Sequence, residues 1–161
     1  MIGIVAIVVT VSVAMWPIRP IVDYTIYDES NQSPTSLDFT GGPMRLFFEV
    51  RNRGASDAPV QVNVTIMGGY LSTHADGPFN YSSTQFYSVL TAHSDNYGAW
   101  IYYVRPAQNA PSISVVFQVT KGWRLDISGI SNYFFGEYNG WSTDLTFIQK
   151  KPGVYSLGTV P

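Results

Sequence analysis

The chain has 161 residues, of which 12% are charged, a formal net charge of -2 and no cysteine. That leaves room for one domain of ordinary size plus a short extra element. The missing thiol excludes disulfide scaffolds, thiolate metal centres and cysteine nucleophiles, and the scattered Lys and Arg form no basic stripe for nucleic acid.

In chain order, the first feature is an uncharged apolar run from Ile2 to Trp16, closed by Pro17 and Pro20 on either side of Arg19. As a helix it is about 22 Å long, short of the roughly 30 Å hydrocarbon core of a bilayer. Three readings compete. In the first, a single transmembrane anchor is extended by Trp16, Ile18, Ile21 and Val22, with Trp16 and Arg19 at the membrane interface. The second is a secretory signal with a small-x-small site at Ser12-Val13-Ala14, though without a basic residue before the apolar stretch. In the third, the helix lies in the core of a surface filament, covered by neighbouring subunits. The anchor is the leading expectation, which divides the chain into residues 1–22, apolar helix and Pro-containing linker, and residues 23–161, one domain.

After the prolines the pattern changes to alternation, the mark of half-buried strands. Val22, Tyr24 and Ile26 share one face. Leu46, Phe48 and Val50 alternate with Arg45, Glu49 and Arg51, and Val60, Val62, Val64 and Ile66 alternate with Gln61, Asn63 and Thr65. Between the last two strands lies Asn52-Arg-Gly-Ala-Ser-Asp-Ala, a polar turn segment. Further strands are expected at 85–91, 97–104, 112–120, 123–130 and 143–149, with turns at Gly41-Gly42-Pro43, Asp76-Gly77-Pro78, Asp95-Asn96, 108–111 and Asn139-Gly140. Seven to nine short strands predict an all-β, immunoglobulin-like antiparallel sandwich preceded by the single apolar helix.

The stretch from Leu46 to Ile66 resembles the strand, N-x-G, strand hairpin of CARDB-type immunoglobulin-like domains, which are frequent in archaeal surface proteins. It covers about an eighth of the chain and carries no catalytic residue. One apolar N-terminal helix followed by a sandwich is similar to the layout of archaellum stator proteins and some archaeal pilins. This likeness implies an envelope protein, either a filament subunit or a filament-anchoring protein. The small subunit of archaeal thiosulfate:quinone oxidoreductase is similar in layout as well.

Residues that could carry chemistry are few. His74 and His93 lack metal-ligand spacing, and the triad residue types in Ser72-Thr73-His74-Ala75-Asp76 come without a strained nucleophile turn. Asp28, Glu29, Asn31 and Asp38 lack the spacing of a calcium loop. Hence no catalytic residue, metal site or cofactor is expected. Aromatic residues are more informative. Tyr133, Phe134, Phe135, Tyr138 and Trp141 crowd a Gly- and Asn-rich segment, and Trp100 adds to the set, making these six the candidate interface. Low charge and the sequons at Asn31, Asn63 and Asn80 point to an extracytoplasmic domain, with Asn63 and Asn80 as candidate glycosylation sites. The expected partners are a membrane, through the helix, and other envelope or membrane-complex proteins, a second copy of the chain among them.

Two rivals to the assembly role remain. As an accessory subunit of a membrane-bound oxidoreductase, the chain would use Arg105, Lys121 and Arg124 to attract an anionic substrate. As a sugar-binding adhesin it would use Trp100, Trp123 or Trp141.

Overall fold

The computed structural model describes residues 2–15, 19–92, 97–139 and 142–158. Helix α1 (Ile2–Met15) takes the apolar run. It is followed by β1 (Ile21–Tyr27), β2 (Ser36–Asp38), β3 (Met44–Asn52), β4 (Ala58–Met67), β5 (Gly69–Ser72), β6 (Ser83–Leu90), β7 (Tyr97–Pro106) and β8 (Ser112–Lys121). Helix α2 (Ile127–Phe135) then precedes β9 (Glu137–Asn139), β10 (Ser142–Lys151) and β11 (Val154–Leu157).

The strands form two sheets, ordered β5-β7-β3-β1-β9 and β2-β11-β10-β8-β4-β6. Alternation along each strand decides which residues meet between the layers. Val22, Leu46, Phe48, Val50 and Val104 face inward from the first sheet. From the second come Val60, Val62, Val64, Ile66, Ile113, Val115, Phe117 and Phe147. Phe117 is the ring that joins them, edge-on to Phe48 at 5.2 Å and to Tyr24 at 5.4 Å.

Four expectations need correction. The segment 123–130 is not a strand: Asp126 accepts a hydrogen bond from the Gly129 N–H at 2.7 Å and so caps the start of α2. The link from Asn52 to Ala58 is not a hairpin, because β3 pairs with β1 and β7 while β4 pairs with β6 and β8; the link is a corner between layers. Ile21 and Val22 do not extend α1, since they open β1, where Val22 is fully buried opposite Asn52. Pairing is not wholly antiparallel either, because β9 adds to β1 in parallel.

Trp16 lies outside the described residues, so its expected interfacial position is not described. Among the described residues no helix is long and apolar enough to cross a membrane. Helix α1 is apolar on every side, and its described side chains stand open to the surroundings, Ile4 by 68% and Val13 by 69%.

Candidate interaction surface

The chain leaves α1 and enters the sandwich through a clamp. Arg19 pairs with Glu137 at 2.6 Å, and the Pro20 carbonyl accepts from the Glu137 N–H at 2.9 Å. On the other side, the N–H of Ala55 donates to the Arg19 carbonyl, and that of Arg53 to the Ile21 carbonyl. Gly54 lets the two segments cross, because a Cβ there would run into the backbone of Arg19, Pro20 and Ile21. Asn52, fully buried, holds the corner. Its Oδ1 accepts from the N–H groups of Gly54 at 2.9 Å and Ile21 at 3.3 Å, and its Nδ2 donates to the carbonyls of Ser56, Leu90 and Thr91.

Beside this clamp sits α2, which reverses the usual arrangement of a surface helix. It buries Gly129, Ser131 and Asn132 and exposes Ile127, Ile130, Tyr133 and Phe134. Gly129 is needed because a Cβ would strike the Arg124 carbonyl. Asn132 pins the inner face: its Nδ2 donates to the Pro59 carbonyl at 2.7 Å, and its Oδ1 accepts from the Tyr138 hydroxyl at 2.7 Å. Burial pushes the Tyr138 hydroxyl well above its usual pKa range, which keeps it a donor. Lys121 donates its ammonium to the Tyr133 carbonyl in the last turn, and desolvation lowers its pKa.

The outer face continues into the segment before the helix. Trp123 is exposed and meets Tyr133 edge-on at 5.2 Å; Tyr133 meets Phe134 in the same way at 5.2 Å. Leu125 is 86% exposed. Helix α1 comes close to α2 at this end of the sandwich.

Of the six candidate interface residues, Tyr133 and Phe134 thus stand on this outer face. Phe135 is half-buried, Tyr138 packs against the core, and Trp100 turns inward to lie 4.4 Å from the Phe86 ring. Trp141 lies outside the described residues. Trp123, named for the adhesin reading, is exposed here, whereas the outward Leu125, Ile127 and Ile130 were missed because their segment read as a strand. The helical spacing of Ile127, Ile130, Tyr133 and Phe134 after a capping Asp126 is the signal that could have found the helix.

The remaining candidates lie elsewhere. Asn63 is half-buried at mid-strand between Gln85 and Gln118, whereas Asn80 is exposed in the loop before β6. Ser72 is buried and its hydroxyl accepts the backbone N–H of His74; His93 lies outside the described residues. Arg105 covers the Phe79 ring at 5.9 Å, and Arg124 pairs with Asp126. Asp28, Glu29 and Asp38 line an open groove of about 350 Å³ at the end of the sandwich far from α1. There Ser30 and Thr40 hydrogen-bond the two aspartates and lower their pKa values. Among the described residues no group of three or more His, Asp or Glu is placed to hold a metal ion.

No family model matches the chain, and no curated protein matches it in sequence.

Proposed function

We propose that this chain is a membrane-anchored protein of the cell envelope, its immunoglobulin-like domain held outside the cytoplasm to bind other proteins, with no catalysis of its own. The role is that of a surface-filament subunit or of a protein that anchors one. The observation that carries the proposal is α1. A helix apolar on all sides requires an apolar surround, and the sandwich covers almost none of it.

Three further features support the reading. The order β1-β3-β7-β5 against β4-β8-β10 parallels the A-B-E-D and C-F-G layers of immunoglobulin sandwiches, with β6 added beside β4. Because Arg19 is neutralised by Glu137, its charge belongs to the domain and counts little towards keeping that side in the cytoplasm. Asn80 offers an exposed acceptor for a glycan.

The test is extraction of the full chain from its native membranes. The protein should resist an alkaline carbonate wash and, in mild detergent, run as a polymer or in fixed ratio with another envelope protein. A fixed ratio with a polytopic redox subunit would replace assembly with the accessory role. Release by carbonate as a lone monomer would refute the anchor and the assembly role together.

A further inference from the structure

We propose that the outer face of α2, together with Trp123 and Leu125, is a lipid seat: it lies in the interfacial layer of the bilayer that holds α1. The proposal rests on the anchoring role above and names a second membrane contact within it.

The first argument is the inversion of α2. A helix that folds with Asn132 inward and Phe134 outward is specified for an apolar neighbour on its outer side, since Asn132 finds all its partners within the domain. The second is continuity. Helix α2, whose outer side carries the exposed Ile127, Ile130, Tyr133 and Phe134 with Trp123 and Leu125 just before it, lies close to α1, so a layer that covers α1 at this end reaches α2 as well.

Composition favours lipid as the cover: Trp123 and Tyr133 suit the headgroup boundary, and Leu125, Ile127, Ile130 and Phe134 the layer beneath, as on a helix that lies in the membrane interface. Of the bordering charges, Arg124 is paired with Asp126, and Lys121 reaches back from β8 to the Tyr133 carbonyl, on the domain side of this ridge.

With no native cysteine, single thiols can be placed at will. Leu125→Cys and Phe134→Cys sit on the ridge, Val8→Cys in α1, and Gln32→Cys on an exposed turn at the far end. Each full-length variant is labelled with an environment-sensitive dye and reconstituted in phosphatidylcholine–phosphatidylglycerol vesicles carrying nitroxide lipids. The labels at 125 and 134 should be quenched several-fold more than the label at 32, and more by shallow than by deep nitroxides. If position 8 is quenched while 125 and 134 behave like 32, the lipid seat is wrong and the anchor stands. Absence of quenching at position 8 as well overturns both. Labels at 125 and 134 that are hidden from an aqueous quencher yet untouched by nitroxide lipids would show a protein cover and also overturn the seat.

Discussion

At the scale of single residues, Asn52 has the most consequence for the fold. It satisfies five backbone groups that meet at the corner between the sheets, and it does so fully buried. Asn52→Leu keeps the volume but leaves those groups without partners, each worth on the order of 1–3 kcal/mol when buried. Several will relax towards water, so the expected net loss is about 3–4 kcal/mol, read as a lower urea midpoint at unchanged slope. Asn52→Asp retains the Oδ1 acceptor but sets a carboxylate oxygen against the Ser56, Leu90 and Thr91 carbonyls, so at neutral pH it should lose at least as much as Asn52→Leu and recover part of that loss as falling pH protonates the carboxyl. The residue itself was legible, since N-x-G marks a turn. Its role was not: the carbonyls it serves at Leu90 and Thr91 are almost forty positions away, and no local pattern signals them.

Among elements, the strands with clean alternation were legible and the helix after β8 was not. β4 and β8 each run ten residues with one apolar face, long enough for a period of two to stand out. β2, β5, β9 and β11 have three or four residues and show no period at all. For α2 the misreading has a physical cause. An apolar face turned outward, combined with Gly129 and Asn132 in mid-helix, weakens the sequence signal, and the Asp126 cap, the packing of Asn132 and the Lys121 bond to the last turn offset the poor intrinsic propensity. Asp126→Ala removes the cap bond to Gly129 and the pairing with Arg124. The expected cost is about 1 kcal/mol, concentrated in α2. Hydrogen exchange should speed up across residues 127–135 while β4 and β8 keep their protection. Equal acceleration in the core strands would mean that α2 is integral to the sandwich instead of an appendage on it.

For the whole molecule, the two-layer class followed from counting alternating segments, while the arrangement end to end did not, because it depends on which loops share a pole. The structure gathers α1, the Asn52 corner and α2 at one end and leaves the Asp28–Asp38 groove at the other. Among the described residues every core side chain lies between Val22 and Tyr155, so the described side chains of α1 take no part in the packed interior. A chain beginning at Arg19 should therefore fold with its thermal midpoint within a few degrees of the full protein. It should no longer partition irreversibly into membranes, yet it still carries the ridge from Trp123 to Phe134 and should bind vesicles weakly and reversibly, as single interfacial attachments do. Burying a large apolar side chain is worth roughly 1.5–3 kcal/mol when complete, and interfacial burial realises part of that. Adding Leu125→Ser and Phe134→Ser to the shortened chain should thus lower vesicle partitioning by at least about 10-fold, the equivalent of some 1.4 kcal/mol, without moving the thermal midpoint. Sedimentation with vesicles and a calorimetric scan read the two quantities separately. If the double substitution left partitioning unchanged, the residual binding would have to arise outside the ridge.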